Sequence, residues 1–229
     1  MSRIFVALSA IIAVAVASAP IEIEQSEHVF SRQCKGTVKY AIEFDYNWTP
    51  ETNPALDFPT VGPVDGPGFS PLVVAGHNKY WTMWAPGGFA NRGPEQVAEG
   101  GNPMQILREM NRDRNIYDFG AAEGPVAATG MARMEVGLKG ETGQTYVSAM
   151  SMIAPSPDWF VGIYNVQLCH KGKWVKELSM GKLVGWDAGS SRDGEQFTDL
   201  IDPRRNQRVQ IQSLGPAFMP FGTARIYML

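Results

Sequence analysis

An all-β fold, an antiparallel β-sandwich with one or two short helices, is predicted for these 229 residues by three observations. Short stretches rich in β-branched and aromatic residues recur along the chain. Proline and glycine turn signals separate them, and helical patterning is confined to one small central region. Gly36–Tyr46 sets Val38, Tyr40, Ile42 and Phe44 against Thr37, Lys39, Ala41 and Glu43, the period-two pattern of a half-buried strand. Residues 49–71 carry Pro50, Pro54, Pro59, Pro63, Pro67 and Pro71, which makes them an extended loop over the core. Lys79–Trp84 reads as a short aromatic strand that ends at Pro86-Gly87-Gly88. Gly93-Pro94-Glu95 opens a turn of helix through Ala98. A second short helix is expected over Met104–Asn111, with Pro103 at its first position and Ile106, Leu107 and Met110 on one face. Arg133–Leu138 and Thr145–Ile153 read as paired strands joined through Lys139–Gly143. Trp159–Leu168, Arg208–Leu214 and Gly222–Leu229 supply the remaining strands, and no internal repeat or low-complexity tail interrupts the pattern.

The first residues bear on compartment. Arg3 gives a short positive end, Ile4 to Val16 is an unbroken run of apolar and small residues, and Ala15-Val16-Ala17 offers a cleavage site. That is the pattern of a secretory signal over residues 1–17, followed by an N-terminal segment over residues 18–33. The apolar run is shorter than the ~20 residues a membrane span needs, so no membrane insertion is expected. Removing Arg3 takes Lys and Arg from 20 to 19 against 23 Asp and Glu, a net charge of −4 that argues against nucleic acid as a partner. The arginines at 204, 205 and 208 read as a solvated edge. Two cysteines, Cys34 and Cys169, in an exported chain favour one disulfide, whereas zinc is disfavoured without a CxxC spacing.

The most informative stretch is Ser151 to Gly162, in which a strand stops at Pro155, turns through Ser156-Pro157, presents Asp158 and re-enters the core through Trp159, Phe160 and Val161. From local chemistry alone, Asp158 is a turn former in a proline-rich turn. Pro155–Gly162, followed by Leu168-Cys169, Trp174 and Trp186-Asp187-Ala188-Gly189, resembles the signature of the spondin domain family. Phe69-Ser70-Pro71-Leu72, Gly76-His77 and Val97-Ala98-Glu99-Gly100 are similar to the first half of that family. The resemblance covers residues 34–229 and implies a C2-like sandwich with a calcium ion at one end. It implies three acidic ligands, which fall on Asp158, Asp187 and, through Met134-Glu135-Val136, on Glu135. Glu141 is the rival for the third position. Calcium takes six to eight oxygens, and three converging carboxylates need a counter-charge. Asp193 and carbonyls of the Ala188-Gly189 turn are further oxygen sources.

The other residues that could carry chemistry have plainer readings. Trp81, Trp84, Trp159, Trp174 and Trp186 read as core or loop-pinning aromatics, and His28, His77 and His170 show no metal-binding spacing. Asn47-Trp48-Thr49 is a formal glycosylation sequon whose occupancy Trp48 and Pro50 reduce. No GxSxG elbow, metalloprotease helix or phosphate-cradling loop is present, so no enzyme is expected. The resemblance implies a secreted, extracellular adhesion module that binds a matrix or cell-surface receptor protein. The alternative is a lectin-like pattern-recognition protein that binds glycan, which an exposed tryptophan beside Asp158 and Asp187 would favour. The long members of the family carry reelin-like and thrombospondin type 1 segments. These 229 residues contain neither, so functions of those segments are not transferred.

Overall fold

The structure, a computed structural model, describes residues 33–54, 58–60, 62, 65–191, 208–216 and 220–229. The signal sequence, His28, Asp193 and the arginines at 204 and 205 lie outside the described residues. Among the described residues fourteen strands and two helices follow in the order β1 (Thr37–Tyr46), β2 (Gly68–Phe69), β3 (Val73–His77), α1 (Arg92–Gly100), α2 (Met104–Met110), β4 (Ile116–Ala121), β5 (Val126–Ala127), β6 (Met131–Lys139) and β7 (Tyr146–Ala154). The chain continues through β8 (Trp159–Gln167), β9 (Cys169–His170), β10 (Lys173–Trp174), β11 (Glu177–Met180), β12 (Gly185–Asp187), β13 (Gln212–Ser213) and β14 (Gly222–Met228). The predicted antiparallel sandwich is borne out, with two short helices.

A four-stranded sheet runs β11-β14-β1-β6, and a larger sheet runs β13-β12-β8-β7-β2-β5 with β3 bridging β7 and β4. The alternation read in β1 has its expected cause. Tyr40, Ile42, Phe44 and Tyr46 enter the core between the sheets, while Lys39 and Glu43 stay on the outer face. From the other side come Phe69, Leu72, Val74, Val147, Ala149, Ile153, Val161 and Ile163. Tyr46 stacks on Phe69 at 3.8 Å, and Trp48 meets Phe69 and Phe221 edge-on, so aromatic packing closes one end of this core.

The larger sheet is buried on its other face too. Val73, Ala75, Met150 and Phe160 project there against Val97 and Ala98 of α1, Ile106 and Met110 of α2, and Met83 and Trp84 of the preceding loop. Double burial explains why Val147 to Ala154 has no exposed position and reads as an unbroken run rather than an alternation. It also corrects one expectation. Lys79–Trp84 is a loop, not a strand, and its aromatics form a cover: Trp84 lies edge-on to Phe160 at 4.9 Å and donates its Nε1–H to the Ala149 carbonyl at 3.2 Å. Gly162 makes room for that ring, since a Cβ there would come within 2.7 Å of it.

A second expectation also changes. Arg133–Leu138 and Thr145–Ile153 are strands, but they do not form a hairpin. β6 pairs with β1 and β7 pairs with β3 and β8, so residues 140–145 carry the chain from one sheet to the other, leaving a lone bridge at Lys139 and Gln144. Asp118 of β4 closes the corner beneath this crossing. One of its carboxylate oxygens accepts the Phe119 N–H at 2.9 Å and the other the Gly137 N–H of β6 at 2.7 Å. Arg208–Leu214 contributes only the two residues of β13. Cys34 and Cys169 form the expected disulfide across 135 residues and tie the approach to β1 to the end of β8. No helix among the described residues is long and apolar enough to cross a membrane.

Candidate metal centre

At the end of the sandwich where β7 turns into β8, the peptide from Ala154 to Pro155 is cis, and the turn is locked from within. The buried Ser156 hydroxyl donates to the Ile153 carbonyl at 2.5 Å and accepts the Trp159 N–H at 3.0 Å. This fixes the direction in which Asp158 leaves the turn, with only 2% of the residue exposed.

The Trp186–Ser191 segment comes to meet it. β12 pairs with β8 so that Asp187 lies opposite Trp159, and the Ala188 N–H donates to the Asp158 carbonyl at 3.1 Å. Asp158 Oδ2 then accepts the Ser190 N–H at 2.7 Å, the Ser191 N–H at 2.8 Å and the Ser190 hydroxyl at 3.2 Å. Asp187, 6% exposed, accepts the Gly189 N–H on Oδ1 at 2.6 Å. Gly189 adopts φ +70°, and a Cβ there would lie 2.3 Å from the Val209 carbonyl oxygen, so the turn that bends the loop back requires glycine.

Asp158 and Asp187, the two aspartates predicted from the motif, are thus brought together by two loops. The two candidates for the third acidic position are not. Glu135 lies on the outer face of the four-stranded sheet, ion-paired to Arg133 at 2.9 Å and Lys39 at 3.5 Å. Glu141 is exposed in the 140–145 crossing, where it accepts the Gly36 N–H at 2.6 Å, and that bond holds its carboxyl below the usual range. Among the described residues no three His, Cys, Asp or Glu side chains close on one point.

The third carboxylate near Asp158 is one that the motif reading missed. Glu99, at the end of α1, lies within electrostatic reach of Asp158 and Ser190. Burial raises its pKa, repulsion from Glu95 and Asp158 adds to the rise, and Ser190 and Arg208 oppose it. Glu95 itself is ion-paired to Arg208, whose guanidinium also donates to the Ala90 carbonyl at 3.2 Å. Val97–Gly100 carries only a loose likeness to the family in the sequence, and nothing in its composition points toward residues 158 or 187.

The donor set suits a hard cation. The aspartate and serine side chains that meet in the two loops offer oxygen, and neither cysteine nor histidine is among them. The Ser191 hydroxyl is buried next to Asp158 and has no hydrogen-bond partner among the described residues, an oxygen left over for a ligand.

The remaining sequence candidates are structural or exposed. His77 is buried, with Nδ1 2.8 Å from the Asn78 carbonyl and Nε2 2.9 Å from the Ser148 hydroxyl; burial drives its pKa down to about 4. The carbonyl can only accept, so Nδ1 carries the proton of the neutral ring and Nε2 accepts from Ser148. Asn47 is exposed, while Trp48 of the sequon is fully buried. None of the six tryptophans is exposed, which removes the feature that a glycan platform beside Asp158 and Asp187 needs.

A β-sandwich with two buried aspartates in the loops at one end defines the form of the chain, and comparison with known proteins narrows it. The Spondin_N family model matches residues 38–215. Spondin-1 of Gallus gallus is 33% identical over 165 residues, which covers 68% of this chain and 19% of that protein. Spondin-1 of Homo sapiens is 32% identical over 161 residues with the same coverages, and Spondin-2 of Homo sapiens is 26% identical over 158 residues, covering 68% of this chain and 46% of that protein. The chain belongs to the Spondin_N family, as the Pro155–Gly162 motif implied. It spans about a fifth of Spondin-1 and under half of Spondin-2.

Proposed function

We propose that this chain is a secreted, non-catalytic, calcium-binding adhesion module whose partner is an extracellular matrix or cell-surface receptor protein. The observation that carries the calcium reading is the meeting of the loops that bear Asp158 and Asp187, both buried, beside a Ser191 hydroxyl that has no partner among the described residues. Burying ionised carboxylates next to one another costs free energy that a divalent cation offsets. Asp158, Asp187 and Ser191 would hold the ion, which would neutralise their charge and fix the Trp186–Ser191 loop against the Pro155–Asp158 turn. Family membership supports the extracellular setting, and the disulfide suits an oxidising compartment.

The reading makes the loop end a surface whose shape depends on calcium. Calorimetric titration of the purified chain with calcium, beside Asp158→Asn and Asp187→Asn, tests it, with thermal melts run in calcium and in chelator. Binding heat and a calcium-dependent rise in Tm are expected in the parent and should be lost in both variants. Absence of heat and identical melts in the parent would leave the two aspartates as loop-pinning acceptors only, and the calcium reading would fall. Cell attachment to the immobilised chain, expected to drop in chelator, tests the adhesion reading separately.

A further inference from the structure

We propose that an open cleft at the disulfide end of the larger sheet binds a neutral saccharide, at a site separate from the two aspartates and independent of the calcium reading. Three strands reach this end side by side. Their registers set His77 of β3 opposite Tyr146 of β7, and Tyr146 opposite Gln167 of β8. The loop after β3, the 140–145 crossing and the approach to β1 rise around that row. Together they bound a cleft of about 360 Å³, lined by Gln33, Asn78, Tyr80, Glu141, Tyr146 and Gln167 among others. Sites for small ligands fall at roughly 300–1,000 Å³, so the volume suits one. Asp158 stands at the other end of β8, just before Trp159, whereas the cleft takes in Gln167 at its close.

The walls of the cleft are held by bonds of their own. Gln33 donates from its side-chain amide to the Gly140 and Glu141 carbonyls at 3.0 and 3.2 Å, and the disulfide at the next residue ties this wall to the end of β8. Asn78 donates to Asn115 Oδ1 at 3.0 Å and accepts the Tyr80 N–H at 2.9 Å, which fixes the turn that presents Tyr80. Tyr80 is 77% exposed, and the Lys79 ammonium lies 5.1 Å from its ring centre. A tyrosine ring left in water beside a polar cleft offers an apolar, electron-rich face to the C–H face of a sugar ring. The side-chain amides and hydroxyls of the lining both donate and accept, as every hydroxyl of a sugar does. Thr145 adds an independent mark of a ligand. It lines the cleft, it is only 6% exposed, and its hydroxyl has no hydrogen-bond partner among the described residues. Lys79 and Glu141 cancel in charge among the lining residues, which favours a neutral sugar over a sulfated or acidic one.

Saturation-transfer NMR on the whole chain tests this, with the methyl glycosides of glucose, mannose, galactose and N-acetylglucosamine as probes. Transfer to at least one of the four sugars is expected in the parent. Tyr80→Ala should weaken that sugar's binding by about fivefold, the loss of one aromatic contact, with Tm unchanged because the ring is exposed. Thr145→Val keeps the side-chain shape and removes the hydroxyl, and it too should weaken binding. Asp158→Asn and added chelator should leave sugar binding as in the parent, so the calcium reading can fail while this one stands. Transfer to none of the four sugars by the folded parent would overturn the proposal. Binding that survives both Tyr80→Ala and Thr145→Val would overturn it as well, by putting the sugar elsewhere, and so would its loss in Asp158→Asn. Transfer only to a heparin hexasaccharide, or only to a Gly-Pro-Pro peptide, would overturn it by giving the cleft to an acidic glycan or to protein.

Discussion

Ser156 is the smallest change that probes how the candidate centre is built. Its hydroxyl makes two buried hydrogen bonds, donated to the Ile153 carbonyl and accepted from the Trp159 N–H, and Ser156→Ala removes both without changing the backbone preference of the turn much. Each buried bond contributes about 1 kcal/mol net, and a backbone group deprived of its buried partner costs about 1–3 kcal/mol, so a loss of roughly 2–4 kcal/mol is expected. For a domain of this length each kcal/mol moves Tm by about 2–4 °C, which gives a drop of roughly 4–16 °C. Scanning calorimetry on parent and variant in chelator measures this without interference from calcium. The same substitution loosens the mount of Asp158, so calcium affinity should fall in parallel with stability. A Tm within about 1 °C of the parent would refute the reasoning, because the turn would then be held by its prolines and not by the hydroxyl.

Three further outcomes follow from other contacts. Asp118→Ala deprives the Gly137 N–H of its carboxylate at the corner of β6; unfolding in urea should show a loss of about 1–3 kcal/mol, with faster hydrogen exchange at Gly137. His77 titrates near 6.5 when unfolded and near 4 when folded, so its neutral form is favoured by the fold: the associated stability is complete above pH 6.5 and is lost as pH falls toward 4. The loss amounts to about 3 kcal/mol, and urea midpoints between pH 7 and pH 4 should fall less steeply in His77→Gln than in the parent. Gly162→Ala should push Trp84 off the outer face and the Ala149 carbonyl out of line, which a red shift of tryptophan emission and a Tm lower by several degrees would report.

What could be read from the residues alone depended on how many faces each strand buries. β1 announced itself because one face meets the core and the other meets water, so its side chains alternate. β7 was recognisable as apolar, but its partner was not, because a strand buried on both faces carries no mark of which neighbour lies on which side. The supposed hairpin with β6 failed for that reason: sequence adjacency suggested pairing, whereas residues 140–145 cross between sheets. Lys79–Trp84 misled in another way, since Trp81 and Trp84 have strand-like chemistry but serve as a lid over a sheet that other residues form. In the candidate centre, Asp158 and Asp187 sit in turns whose glycines, prolines and serines fix the local geometry, so the motif carried them. Glu99 sits on a helix whose position depends on docking over the outer face of the larger sheet, and that information is spread across residues far apart in the chain.

The disulfide and the candidate centre lie at opposite ends of one strand, and this separates what each can do. β8 begins at Trp159, beside Asp158, and ends at Gln167, two residues before Cys169. At ~3.3 Å per residue its nine residues span about 30 Å, far beyond the distance within which neighbouring sites couple. The bridge closes a loop of 135 residues, for which the chain-entropy model gives up to about 5 kcal/mol. Joint replacement of Cys34 and Cys169 by serine should therefore lower Tm substantially while leaving calcium affinity at the far end unchanged, as long as titration is run below the new Tm. If affinity fell along with Tm, β8 would be transmitting the loss of its C-terminal anchor to Asp158. The centre would then depend on the tension of the whole strand and not on the turn that Ser156 locks.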